Sequence, residues 1–240
     1  MEDLATPAPV ASSDPGAWPF PRRFVALFTS PRALFEHLEH HPSWFLPMLV
    51  SLIAVVLYSV ILWDPVILPE MLARFEEQGT PDSAVQTMTS IGLPISIATG
   101  FVFGAGFTFL IALVVQWVGG FLLGGSLTYR QSLSILTHTS MISIPAILVM
   151  IPLAMVAKTI QVSVGPGMLF PLSAAEGFMA KFFAAFLGAI DLFRIWQLAL
   201  TALGVSVIGR VPRNKALVAL SVAYLIAAVL GAALTALTRR

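Results

Sequence analysis

Five long apolar stretches dominate the chain, about Trp44 to Trp63, within Ile91 to Leu123, about Ser132 to Ala157, Phe182 to Ile208 and Ala216 to Leu237. A bilayer core of about 30 Å demands roughly 20 consecutive apolar residues per crossing helix, and each stretch meets that demand. Runs this continuous do not suit a transmembrane barrel, whose strands alternate in short segments. Hydrophobic residues make up 58% of the 240 and charged residues only 10%, where a soluble domain carries about 25% charged residues. The fold class expected is all-α: a polytopic membrane protein, a bundle of five transmembrane helices preceded by an N-terminal interfacial amphipathic helix.

Charge and composition exclude several classes of function. A net charge of +1 offers no basic stripe for nucleic acid, and zero Cys removes disulfides, thiol catalysis and cysteine metal sites. Residues 1–21 hold Glu2, Asp3 and Asp14, no basic residue and five prolines, so they read as a disordered Pro-rich leader rather than a signal peptide. No GxSxG, P-loop or Rossmann fingerprint occurs. His37, His40 and His41 lie near Glu36, yet no HExxH is present, and neither a metal nor a cofactor is expected. No catalytic residues are assigned.

Lys and Arg placement sets the expected orientation. With the N-terminus cytoplasmic, that side collects Arg22, Arg23, Arg32, Arg130, Arg210, Arg213 and Lys215, against Arg74, Lys158, Lys181, Arg239 and Arg240 opposite. The N-terminus is therefore expected inside and the C-terminus outside.

Residues 22–41 are patterned as an amphipathic helix. Ser30 and Pro31 form a helix start, and Leu34, Phe35 and Leu38 share a side, with Phe24, Leu27 and Phe28 before them. Such a helix is expected to lie in the membrane interface, either as a simple juxtamembrane cap or as a docking or lipid-sensing element. Residues 42–240 then form the membrane domain.

Within the second stretch, small residues recur every four positions, with GxxxG units at Gly100–Gly104 and Gly120–Gly124, which predicts close helix neighbours at both. Its 33 or so residues would extend roughly 50 Å, so tilt, a break near Gly119–Gly120 or an extension beyond the membrane must absorb the excess. The third stretch opens with Ser134, Thr137, Thr139, Ser140 and Ser143, hydroxyls expected to serve carbonyls freed by Pro145 and Pro152.

Asp191 and Arg194 are the acid and base expected inside one helix, one turn apart, with Gln197 a further turn on. A lone charge at mid-membrane costs about 2.5–3.5 kcal/mol, so an ion pair between them is expected. That pair is read as structural first and as part of a transport site second, with His138 within geometric reach.

Several of these residues also match a known pattern. The segment FTSPRALFEHLEHHPSWFLPML resembles the opening of bacterial members of the Yip family, an F-x-S-P-x-x-x-F-E helix followed by Pro-x-Trp. LTYRQSLSILTHTSMISIPAIL is similar to the family's third span with its aromatic–x–Gln start. Asp191, Phe193, Ile195, Trp196, Leu198, Leu200 and Gly204 fit its fourth-span element, and Lys215–Ala216 fits the start of its last span. The resemblance implies five spans, a cytoplasmic N-terminus and residence in a bacterial cytoplasmic membrane. Eukaryotic relatives associate with Rab-type GTPases, a property that does not carry over to the bacterial branch. The function expected is non-enzymatic, scaffolding or organising the lipid bilayer and membrane-protein partners, or self-associating. The alternative is a small transporter or channel using Asp191, Arg194 and His138.

Overall fold

The computed structural model describes residues 16–238; residues 1–15, most of the expected leader, and Arg239–Arg240 lie outside that range. Helices run α1 (Phe20–Thr29), α2 (Pro31–His40), α3 (Phe45–Leu62), α4 (Leu68–Glu77), α5 (Asp82–Gln116), α6 (Tyr129–Thr139), α7 (Ser143–Ala157), α8 (Gly177–Ala189), α9 (Leu192–Gly209) and α10 (Arg213–Thr238). No strand occurs among the described residues. Among the described residues, five continuous helical segments are long and apolar enough to cross a membrane: Phe45–Glu77, Asp82–Leu122, Tyr129–Ala157, Leu192–Gly209 and Arg213–Thr238. Side chains such as Phe103, Phe107, Leu148 and Val156 face outward from them, as lipid contact requires.

The first two spans both exceed their predicted bounds, and each contains a wide π-helical turn. Trp63–Ile67 carries α3 into the amphipathic α4, and Pro65, which has no N–H for the ladder, sits in that turn. In span two the second such turn, Trp117–Leu122, contains Gly119–Gly120. The helix therefore widens where a break was expected, and its extra length lies in an extension back to Asp82.

Two expectations are corrected at the N-terminus. Helix begins at Phe20, within the segment read as leader, and Pro21 in its first turn is the signal that favoured it. The expected single helix over 22–41 is a pair, α1 and α2, joined at Ser30. Trp18, before α1, stacks on His37 near the end of α2 with ring centroids 4.6 Å apart, so the two form an antiparallel hairpin. The apolar side of α2 is turned into the bundle. Leu34, Phe35 and Leu38 are fully buried against the bundle, where α2 packs chiefly on α9 and also on α6. Leu27, Leu34, Phe35, Leu38, Ile135, Val205 and Ile208 belong to one continuous core. Burying such side chains contributes about 1.5–3 kcal/mol each, enough to hold a ten-residue helix that would not form alone. The end of the bundle carrying this hairpin is called the near end below.

The fourth apolar stretch is also corrected. Phe182 to Ile208 is not one helix: α8 stops at Ala189 and α9 starts at Leu192, with extended backbone at Ile190 and Asp191.

Candidate functional site

The break between α8 and α9 is built around Asp191. Its carboxylate is 6% exposed and serves as the N-cap of α9, one oxygen accepting from the Phe193 N–H at 2.9 Å. The other oxygen accepts from the Val164 N–H at 2.7 Å, and the Leu192 N–H donates back to the Val164 carbonyl at 3.0 Å. The loop after α7 is thus tied to the break by two hydrogen bonds, while the third caps α9. Close approach is written into the loop's glycines. A Cβ on Gly165 would collide with the Ile190 carbonyl, and one on Gly167 would meet the Gly188 Cα at 2.6 Å. The positive end of α9 and two N–H donors stabilise the charge without a cation.

The predicted Asp191–Arg194 ion pair is absent. Once Asp191 caps the helix, its side chain turns back over the N-terminus, whereas Arg194 points outward from the first turn and is exposed. No ion pair of Arg194 occurs among the described residues. Gln197 is half-buried, and its backbone carbonyl accepts from the Thr201 hydroxyl at 2.8 Å.

His138 does not join that group either. It is fully buried at the near end of span three, and its Nδ1 donates to the Ser134 carbonyl at 2.8 Å, since a carbonyl only accepts. Nε2 therefore carries a bare lone pair, and it has no partner among the described residues. Its charged or titratable neighbours are Arg23 and His37, from the hairpin. A polar chain links them: the Arg23 guanidinium donates to the Ser43 hydroxyl, Ser43 and Ser134 exchange two bonds at 3.2 and 2.8 Å, and Ser134 holds His138. Partial burial draws the Arg23 guanidinium below its usual pKa.

The hydroxyls of span three bind neighbouring helices as well as their own carbonyls. Ser140 donates to Ser51 of α3 at 3.0 Å, and Thr139 lies 3.0 Å from the Thr201 hydroxyl of α9. Sequence reading assigned these hydroxyls to proline-freed carbonyls and missed Ser43, Ser51 and Thr201. For Ser51 and Thr201 the only signal was a hydroxyl in an apolar run, and Ser43, after His41–Pro42, had none.

The glycine stripe of span two divides. A Cβ on Gly104 would meet the Leu52 side chain of α3 at 2.9 Å, so a neighbour is present there, whereas Gly100 faces open space. Gly120 faces this chain's own backbone, the Leu127 carbonyl at 3.5 Å and the Gly125 carbonyl at 3.9 Å, and Gly119 beside it is the tightly packed one, against Leu127 and Val205. Gly124 lies beyond the helix with φ 67°, so its role is a left-handed turn rather than helix packing.

The segments singled out by resemblance converge at the near end. Phe28 packs edge-on against Trp196 with centroids 5.7 Å apart. Phe35 occupies the space beside Gly204, where a Cβ would meet the Phe35 ring at 2.9 Å and Ile135 at 2.7 Å. Gln131 forms a capping box with Thr128 and donates to the Glu39 carbonyl at 3.1 Å. Pro31 opens α2, and Ala216 is fully buried. Residues up to 188 positions apart in sequence, Phe28 to Ala216, thus form one packing unit, with α2 wedged between α6 and α9.

Comparison with known proteins shows the chain's family. The chain is 25% identical over 190 residues to "Membrane protein YknW" of Bacillus subtilis, covering 78% of this chain and 79% of that one. No solved structure matches it significantly. The Yip1 domain matches residues 25–235, from the first helix to the last, and the chain belongs to the Yip1-domain family of integral membrane proteins.

Proposed function

We propose that this protein is a non-enzymatic scaffold that organises membrane and partner proteins from its near end. The observation that carries the reading is the docked hairpin. Its apolar side is consumed within the bundle, which holds Arg32, Glu36 and His40 outward on a fixed frame. The Arg32–Glu36 pair, 2.9 Å apart, is exposed and contributes little to stability, so it is free to serve recognition. We place the chain in a bacterial cytoplasmic membrane, with the near end in the cytoplasm because Arg22, Arg23, Arg32, Arg130, Arg210, Arg213 and Lys215 collect there.

Two experiments test this. Cross-linking in native membranes followed by mild extraction should recover a defined set of membrane proteins. Reversing Arg32 and Glu36 to Glu and Lys should deplete that set while the bundle stays folded; an unchanged set contradicts the reading. Single cysteines at Glu36 and Gln78, introduced into this cysteine-free chain, should be labelled by an impermeant maleimide from opposite sides of the membrane. Labelling from one side removes the topology.

One observation favours a second reading, transport: the helix break at Ile190–Asp191 with its buried carboxylate resembles the discontinuous helices of transporters. Both Asp191 oxygens are already engaged by the chain's own N–H groups, which speaks against a vacant ion site. Proton or ion flux in proteoliposomes above that of empty vesicles, lost on Asp191→Asn, would favour transport over scaffolding.

A further inference from the structure

Charge at the near end is balanced unevenly. Arg32 and Arg210 each have a carboxylate, Glu36 at 2.9 Å and Glu39 at 2.8 Å. Arg130, Arg213 and Lys215 are exposed, and none has an ion pair among the described residues. The reason lies in the sequence, which holds no Asp or Glu between Asp82 and Glu176 and none after Asp191. The helices and turns that carry these three cations therefore bring no acid with them.

Backbone contacts gather the three beside one groove. Leu113, Trp117 and Phe121, exposed on span two, line it with Gln116 and the loop residue Leu127, and it encloses about 450 Å³. Leu127 packs on Gly119 and stands three residues before Arg130. The same loop is bonded to the turn between α9 and α10. The Ser126 N–H donates to the Gly209 carbonyl at 3.2 Å, and a Cβ on Gly125 would strike Gly209 and Val211. That turn leads straight into Arg213 and Lys215, and α10 itself packs on the Trp117–Leu122 turn.

The groove walls belong to a membrane span, so acyl chains are what they meet. Unmatched cations at the end of such a groove fit a lipid with an apolar tail and a net negative head. Phosphate oxygens accept from guanidinium and ammonium groups, and basic pockets beside membrane helices hold anionic headgroups. A zwitterionic lipid brings its own cation and leaves the excess uncompensated.

We propose that this groove binds an anionic phospholipid of the adjacent leaflet, one acyl chain lying along Leu113, Trp117 and Phe121 and the phosphate received by Arg130, Arg213 and Lys215. The site does not depend on the scaffolding reading, since a lipid is held here whether or not a protein partner binds the hairpin.

The full chain in nanodiscs of phosphatidylcholine with a minority of phosphatidylglycerol tests it. A benzophenone amino acid in place of Leu113 should capture phosphatidylglycerol well above its share. In place of Leu148, outward on α7, it should capture the two lipids in proportion. Arg130→Gln, Arg213→Gln and Lys215→Gln should each lower the preference at Leu113 roughly fivefold, and together they should abolish it. Arg22→Gln, the same loss of charge on the hairpin, should leave it unchanged. Thermal unfolding in phosphatidylcholine alone should match the parent, which separates loss of lipid from loss of fold; should the triple variant unfold early, the single changes carry the test. Equal preference at Leu113 and Leu148 overturns the site, as does a preference that survives the three changes. A fall just as large with Arg22→Gln overturns it in favour of diffuse near-end charge. Capture of a protein at Leu113 in native membranes gives the groove to another chain and also overturns it.

Discussion

The two ends of the bundle solve the same problem, joining helices distant in sequence, by different means. At the near end, α2, α6 and α9 share a buried apolar core, and several modest hydrogen bonds reinforce it. At the far end, the loop after α7 reaches the break in the fourth stretch chiefly through one carboxylate, Asp191. A second far-end tie, Glu70 of α4, accepts from the Thr159 hydroxyl at 3.2 Å while paired with Arg74. The contrast teaches that an intramembrane acid need not signal transport: a carboxylate at a helix N-terminus can join two segments whose backbones meet at glycines. Stability at the near end should be distributed over many residues, and at the far end concentrated in few.

That difference can be broken most forcefully at Asp191. Replacement by Ala removes a helix cap worth about 0.5–2 kcal/mol and leaves the Val164 N–H unpaired at a further 1–3 kcal/mol or so, roughly 1.5–5 kcal/mol together. Thermal unfolding in detergent should show it, with Asp191→Asn milder because it keeps one acceptor. A loss below about 1 kcal/mol would mean the loop is held by something else. Next comes Gly204→Val, whose added atoms strike Phe35 and Ile135. Overpacking of this kind costs about 1–3 kcal/mol, and protease cutting between α2 and α3 should rise with it. Unchanged resistance would separate the hairpin from α9.

Smaller effects sharpen the picture of distributed near-end stability. Gln131→Ala loses the capping box and the tie to Glu39, about 1 kcal/mol, visible as a lower unfolding midpoint. Thr201→Val should cost about 0.6 kcal/mol, the usual worth of an interhelical hydrogen bond in a membrane protein; a steric-trap measurement giving several times that would contradict a distributed near end. Arg32→Ala should move stability by less than about 0.5 kcal/mol, since its ion pair is exposed, so any large effect on partner recovery would be a binding effect.

Much of the architecture was legible because lipid imposes a length rule, and the five apolar runs obey it. The amphipathic spacing of Leu34, Phe35 and Leu38 was legible too, but amphipathicity names a face and not what covers it. Lipid and the α6–α9 groove are equally apolar, and only tertiary packing chose between them. The break at Asp191 was hidden because α8 and α9 are apolar on both sides of it and no proline marks it. Asp191 itself was conspicuous, and its i, i+3 spacing to Arg194 suggested a pair; the competing signal was that Asp favours the N-cap over the helix interior. The Ser43–Ser134, Ser51–Ser140 and Thr139–Thr201 contacts span 91, 89 and 62 residues. Local spacing carries no information about such partners.

The central claim is that the N-terminal hairpin is a structural part of the bundle rather than an attachment to the membrane surface. Amide hydrogen exchange of the protein in nanodiscs tests it most directly. The account predicts that Leu34–Leu38 exchange as slowly as Leu200–Gly204 of α9, because Phe35 and Gly204 must part before either opens. Exchange across Pro31–His40 at the rate of an unprotected peptide, with α9 still protected, would contradict it.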